Sequence, residues 1–352
     1  MTNLEEHKQI EVAIMNLHSK LHKLEANNLE ISDYNKEYLK KYITNYSFYM
    51  SLYSQLLHKS IKKLNKPISQ SIFVDYGGGC GILSYLAKEV GFKSVIYNDL
   101  YEVSVNDTKI IAKEINIEID SYIHGGIHEF IREIHLKNIK PDLICSFDVL
   151  EHIYNLKEWF NSISSINSSF SLLFMTSANG KNPYINNKLK KIQIKAEFQG
   201  LEKTIGWKKS DLNSSFLEAR KKIIRKRFSE FKDDEIEELS IKTRGLRKED
   251  IEKVVKNYMQ NNKIGYHIEH PTNTCDPYTG NWTENLINLT KLKKIIQNNN
   301  LKVEITNSMY SYSNNKILNI PKQVLNLVIR FLGPKHLFFS PTYTLEIQKL
   351  TV

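Results

Sequence analysis

The sequence predicts an α/β fold, a doubly wound parallel sheet with a helical N-terminal cap and a helical insertion. Three observations point there. Between Ser71 and Thr176, short β-branched and aromatic runs alternate with stretches of helical period, the pattern left by parallel strands and their crossover helices. The first run stops at a glycine cluster, Gly77-Gly78-Gly79 and Gly81, where a chain can turn tightly from strand into helix. Of the 352 residues, 41% are hydrophobic, enough for a core. No run approaches the roughly 18 to 20 apolar residues that span a bilayer.

In chain order, Ile10, Ile14, Leu17, Leu21 and Leu24 recur at spacings of three and four, the apolar stripe of a helix. A second helix starts near Ser32 or Asp33, either of which can cap it. Its stripe is aromatic: Tyr42, Tyr46, Tyr49 and Tyr53, running into Leu56 and Leu57. Such tyrosines either pack against a neighbour or present hydroxyls to a ligand, and the spacing serves both. Strands are expected at Ile72–Val74, Ser94–Tyr97, Ile117–Ile123, Leu143–Phe147 and Ser171–Met175. Helices are expected between them at Ile82–Val90, Val103–Ile115, Glu129–Leu136 and Leu156–Ile163.

The alternation then stops. Asn182–Asn262 is highly charged and reads as several helices, with Leu217, Ile224, Phe228 and Phe231 on one buried face. A loop rich in Pro, Thr, Asn and Gly follows at His267–Thr283. The α/β pattern resumes with a helix at Leu289–Gln297 and strands at Leu301–Ile305 and Tyr343–Ile347. The expected organisation is a cap over 1–66, an α/β core over 67–180, the insertion and its loop over 181–284, and completion of the core over 285–352. Between the last two strands, Val324, Leu325, Leu327, Val328, Phe331 and Leu332, then Leu337-Phe338-Phe339, form an apolar segment among Lys322, Arg330 and Lys335. It suits packing on its own domain, a dimer face, or peripheral contact with a membrane surface.

Net charge is +10, and all of that excess lies between Lys181 and Phe228. A basic face of this kind admits an anionic partner, although solvated lysines account for it as well. The start is charged, without the apolar segment of a secretory signal, and three scattered cysteines make no disulfide framework. A cytoplasmic protein is expected.

The glycine cluster carries the sharpest signal. No Gly-Lys-Ser/Thr follows it, which excludes a P-loop, and position 82, where a dinucleotide fingerprint needs its third glycine, is Ile. The spacing is instead Asp75-x-Gly77-x-Gly79-x-Gly81, and Asp99 closes the second strand, where a carboxylate can accept ribose hydroxyls. Together with Asp142-Leu-Ile-Cys-Ser-Phe-Asp-Val-Leu-Glu-His-Ile153, this combination resembles the class I S-adenosylmethionine-dependent methyltransferases, their small-molecule branch in particular. The resemblance covers about Ser71 to Thr176. It implies a Rossmann-like seven-stranded sheet with the last strand antiparallel, and S-adenosyl-L-methionine as cofactor. It places Gly77, Gly78, Gly79 and Gly81 against the methionine moiety, Asp99 on the ribose, and Asp75 where it orients the loop and the cofactor's amino group. Asp148 faces cofactor or acceptor. Where the family often has Gly-Asp after the third strand, this chain reads His124-Gly125-Gly126-Ile127-His128-Glu129, leaving adenine to backbone amides or Glu129.

Methyl transfer from a sulfonium is an in-line displacement that gains most from alignment, and it needs a base only when the acceptor is protonated. Glu151-His152, at the sheet's carboxyl edge, offers His152 as that base; ordering the turn is the other use of the pair. His270, Asp276, Tyr278 and Trp282 can line an acceptor pocket, or the loop that carries them can be a buttress. His267 and His270, at His-x-x-His spacing, then Cys275 and Asp276, permit a metal site, but no second Cys-x-x-Cys or H-E-x-x-H accompanies them, so no metal is expected. The expected activity is methylation of an O or N atom of a small molecule, such as a glycan or lipid-linked intermediate. The alternatives are an RNA methyltransferase using the basic insertion, and a non-catalytic cofactor-binding regulator or scaffold.

Overall fold

Strands form where β-branched and aromatic residues run together, and seven of them join into one sheet in the order β3-β2-β1-β4-β5-β7-β6. The strands are β1 (Ile72–Tyr76), β2 (Ser94–Asp99), β3 (Ser121–His124), β4 (Leu143–Phe147), β5 (Phe170–Thr176), β6 (Lys302–Asn307) and β7 (Tyr343–Lys349). The first five are mutually parallel, and β7 runs antiparallel to both β5 and β6. In this computed structural model residues 3–200, 214–312 and 316–350 are described. Central strands β1, β4 and β5 are apolar without alternation because helices cover both their faces; every residue of β5 is buried.

The chain separates into two compact units. The first comprises Met1–Leu150, Leu156–Ser177 and Leu289–Val352, and the second Glu151–Asn155 with Ala178–Asn288. In the first unit, α1 (Asn3–Leu21) lays Ile10, Ala13, Leu17 and Leu21 on the core, against α4 (Ile82–Val90). The chain leaves the helix at Leu21, so Leu24, expected on the same stripe, stands in the turn beyond.

The single aromatic helix expected after Ser32 is two helices, α2 (Asp33–Thr44) and α3 (Tyr46–Ile61), broken at Asn45. Ser32 caps α2, accepting from Asn35 N at 3.3 Å. Buried Asp107, on α5 (Glu102–Glu114), accepts from Asn35 Nδ2 at 2.7 Å and from Ser32 N at 3.2 Å, which pins the start of α2 to the sheet's flank. Lys59 fastens α3 to the far strands, donating to Thr306 Oγ1 and Asn307 O at 2.7 Å each. Burial pushes its ammonium down to about 8.

The third strand is shorter than expected. Ile117 and Ile119 are buried in the connection before it, where hydrophobicity serves packing rather than a ladder. The crossover helices α6 (Ile127–Leu136) and α7 (Leu156–Ile163), with α12 (Leu289–Asn298), complete the layers. Between β6 and β7 lies a helix that the apolar segment did not by itself announce, α13 (Lys316–Leu332).

The second unit contains α8 (Pro183–Phe198), α9 (Phe216–Arg227), α10 (Asp233–Lys242) and α11 (Lys248–Asn261). Ile224, Phe228, Ile236, Leu239, Ile251 and Val255 form its apolar cluster, with Phe231 against it. Leu217 is buried but lies outside that cluster. Part of the basic stretch, residues 201–213, lies outside the described residues.

Candidate functional site

The strand order reverses between β1 and β4, and the crevice at the carboxyl ends of such neighbouring strands is where a doubly wound sheet binds ligands. The glycine loop occupies that position. Gly77 N and Gly78 N both donate to Asn98 O, at 2.9 and 3.0 Å, and Gly81 N donates to Gly78 O at 2.8 Å. Gly77, Gly79 and Gly81 take φ of +74°, +53° and +78°, a region costly to residues with a Cβ.

Space around the loop is unequal. A Cβ at Gly77 would stand 2.6 Å from Val149 Cγ2, one at Gly78 2.6 Å from Tyr97, and one at Gly81 2.5 Å from Thr108. At Gly79 nothing lies within 4 Å. Three glycines are therefore required by the protein's own packing, and the fourth leaves its side open to a ligand. The loop is held at Gly79 from behind: its carbonyl accepts from Tyr97 OH at 2.6 Å and from Thr108 Oγ1 at 2.9 Å.

Asp99 Oδ2 accepts from Gly79 N at 3.0 Å and Oδ1 from Tyr101 N at 2.9 Å, so two backbone amides aim this carboxylate. Asp75 lies buried beneath the loop and accepts from Ser84 N and Oγ at 3.0 and 2.7 Å. Burial pushes its carboxyl up to about 7, against the lowering effect of the two Ser84 bonds. Asp148 follows β4 with φ +53°, and its Oδ1 accepts from Ser177 N at 2.7 Å. Glu129 caps its own helix, Oε2 accepting from Gly126 N at 3.0 Å, so that oxygen is committed to α6.

The aromatic stripe covers this edge. Cys80 Sγ approaches Asn35 Oδ1 at 3.4 Å, which brings the start of α2 onto the glycine loop. Burial raises the Tyr34 hydroxyl far above its usual range, with neighbouring Tyr38 and then Cys80 and Asp99 adding to it. Burial raises Tyr53 likewise; it donates to Tyr42 OH at 3.2 Å and lies within electrostatic range of Asp75 and Asp148. Tyr34 and Tyr53 thus lie near the carboxylates of this edge, and spacing alone does not separate them from the packing tyrosine Tyr46, whose hydroxyl donates to Ile14 O.

The loop of the second unit is cross-braced by side chains. Asp276 Oδ1 accepts from Tyr278 N at 2.8 Å, an Asx turn, and its carbonyl accepts from Gly280 N. Trp282 Nε1 donates to Tyr154 O at 3.2 Å, and the two rings stack 6.0 Å apart. Gln193 Nε2 donates to Asn273 Oδ1 and Glu284 O, while Thr272 Oγ1 donates to Gln193 Oε1. His270 Nδ1 accepts from Thr272 N at 3.3 Å; burial, then Lys190 and Arg244, hold its ring below the ordinary histidine range. Arg220 and Glu197, both fully buried, form an ion pair, and Thr274 Oγ1 donates to Glu197 Oε2 at 2.7 Å. Tyr278 is half exposed. No cluster among the described residues can hold a metal ion.

Glu151 and His152 belong to this second unit. His152 Nδ1 lies 2.8 Å from Trp282 O. A carbonyl oxygen carries no proton, so Nδ1–H donates and the lone pair of the neutral ring resides on Nε2.

A mixed sheet of this order, with a glycine loop after its first strand and a carboxylate closing its second, is the frame of a nucleoside-cofactor-binding α/β protein. Residues 46–201 match a family model described as a methyltransferase domain. That part of the chain is a class I S-adenosylmethionine-dependent methyltransferase domain, with S-adenosylmethionine as its cofactor. No curated protein matches the chain in sequence. Among solved structures it is similar to a protein from Listeria monocytogenes put forward as an S-adenosylmethionine-dependent methyltransferase, at 10% identity and a TM-score of 0.39, over 86% of this chain and 99% of that one. A second is an S-adenosylmethionine-dependent methyltransferase from Mesorhizobium loti, at 13% identity and TM-score 0.36, over 81% of this chain and 94% of that one. A third is geranyl diphosphate C-methyltransferase from Streptomyces coelicolor, at 14% identity and TM-score 0.26, over 35% and 45%. Likeness at this level carries no weight, so the assignment rests on the family match and the sheet.

Proposed function

We propose that the chain methylates an oxygen or nitrogen of a small molecule, with His152 as the base that takes the acceptor's proton. The carrying observation is the His152 Nδ1 to Trp282 O bond at 2.8 Å, which leaves Nε2 as the proton acceptor. Within the first unit the open side of Gly79 and the amide-aimed Asp99 carboxylate suit the amino-acid and ribose parts of the cofactor. Bound there, S-adenosylmethionine supplies the electrophilic methyl group. Leu100, half exposed beyond Asp99, offers adenine an apolar surface.

Calorimetry with S-adenosylhomocysteine on wild type, Asp99→Ala and His152→Ala tests the reading, with methyl transfer measured from labelled donor on hydroxyl and amine acceptor pools. Asp99→Ala should weaken binding about 100-fold, since hydrogen bonds to a charged group contribute about 1.5–3 kcal/mol each. His152→Ala should leave binding intact and lower turnover about 100-fold or more. Unchanged turnover in His152→Ala would remove the base from the proposal.

An RNA acceptor is the second reading, favoured by one observation. Helix α8 exposes Tyr184 and Phe198 along with Lys188, Lys191 and Lys195. Against it, other cations of the insertion are committed to acids: Arg220 to Glu197, Lys221 to Glu218 and Glu237, and Arg225 to Asp233. RNA binding that falls steeply with salt would move the acceptor to this class.

A further inference from the structure

Helix α13 exposes a continuous apolar stripe. Ile317, Ile320, Val324, Leu327 and Phe331 recur at spacings of three and four, and the most exposed of them, Phe331, is 90% accessible. The following turn adds exposed Phe338 and Phe339. The opposite face of the helix is the one that packs. Ile329 is buried, and Asn326 accepts from Tyr310 N at 2.7 Å and donates to Tyr310 O at 3.0 Å. Asn307 Nδ2 holds the far end through Gly333 O at 2.8 Å. The helix is thus fixed with its apolar stripe turned outwards.

Charge tells what covers that stripe. From Ile305 to Leu345 the sequence contains no Asp or Glu, while Lys316, Lys322, Arg330 and Lys335 are all cationic. Lys322 Nζ donates to Ser311 O, Arg330 is exposed, and Lys335 reaches Glu304 at 3.4 Å across a largely exposed pair. A second copy of this chain closing on the stripe would set this cationic rim against itself. An anionic lipid surface would neutralise it while accepting the apolar side chains.

Topology gives the contact a purpose. Asn307 at the end of β6 pairs with Tyr343 at the start of β7, and Tyr343 pairs with Thr176 at the end of β5. The excursion that carries α13 therefore leaves and re-enters the sheet at its carboxyl edge, the edge that bears the glycine loop, Asp99 and Asp148. We propose that α13 lies in the interface of an anionic membrane, apolar stripe inwards, and presents the carboxyl edge of the sheet to that surface. The binding claim does not depend on the identity of the acceptor.

The test is co-sedimentation of the full chain with phosphatidylcholine vesicles, with and without phosphatidylglycerol, alongside its mass in solution by light scattering. Wild type should sediment with the anionic vesicles and far less with phosphatidylcholine alone, and salt should weaken the binding. Leu327→Glu and Phe331→Glu should each reduce partitioning about tenfold or more. Both side chains are solvent-facing, so the thermal midpoint and S-adenosylhomocysteine affinity should hold. Arg330→Glu with Lys335→Glu, which leaves the apolar stripe whole, should reduce binding to anionic vesicles alone. No binding to either vesicle, equal binding to both, or binding that survives Phe331→Glu would overturn the proposal. So would a wild-type dimer that Phe331→Glu dissociates, which would assign the stripe to a second copy.

Discussion

The glycine loop and the loop at residues 270–286 are both polar, irregular and densely hydrogen-bonded, yet they are built by opposite means. The first is held by the main chain. Its amides and carbonyls bond to Asn98, Tyr97, Thr108 and Asp99, and at Gly79 the outer side is left clear. The second is held by side chains that spend their polar atoms on one another, Gln193, Thr272 and Asn273, then Thr274 and Glu197, while Asp276 folds its own turn. A cradle made of backbone can be open to a ligand because its support comes from one side. A brace made of side chains fixes a shape and has fewer groups left for recognition.

The largest effect should come from breaking the brace. Glu197→Ala strands the guanidinium of Arg220, itself without solvent exposure, and should destabilise the second unit by about 3–5 kcal/mol in urea unfolding. A variant as stable as wild type would mean that the pair is relaxed or hydrated in solution.

The cradle should respond residue by residue. Gly77→Ala meets both positive φ and Val149 at 2.6 Å, and should cost about 2–3 kcal/mol of stability. Gly79→Ala meets only the φ strain, about 1–2 kcal/mol, but fills the open side. Its loss should therefore appear mainly as weaker S-adenosylhomocysteine binding in calorimetry. Equal behaviour of the two variants would erase the distinction between packed and ligand-facing glycines.

A separate effect is read in pH. Asp75 sits at about 7 in the folded chain against an ordinary 3.8, raised by burial. A carboxyl raised on folding contributes stability that is complete below the unfolded value and is lost as pH rises through about 7. Asp75→Asn should flatten the decline in unfolding free energy between about pH 4 and pH 7. An unchanged pH profile would show that Asp75 ionises normally beneath the loop.

The sheet was legible because period and glycine placement are local facts. Phe73, Val74, Leu143 and Ile144 lie where their runs put them, and Asp99 closes β2 as expected. What failed to show was decided by tertiary partners. Ile117 and Ile119 look like strand but pack outside it. Asn45 breaks a helix whose aromatic stripe continues past the break. The tyrosines of α2 and α3 share one spacing, yet Tyr46 bonds to α1 while Tyr34 and Tyr53 lie near the site's carboxylates, a difference set by where each stands along its helix. The use of His152 was visible as a residue type, but its tautomer depends on Trp282, 130 residues away.

The excursion between β6 and β7 has one more property. Its ends share a rung of the ladder, Asn307 with Tyr343, and its internal bonds, Ser308 N to Ser340 Oγ and Asn326 to Tyr310, tie it to itself. The entropy of closing such a loop grows only slowly with its length. The segment can thus be lengthened, trimmed or exchanged without re-threading a single strand. In evolutionary terms it is a graft: residues 308–342 can change while the sheet and its glycine loop stay as they are.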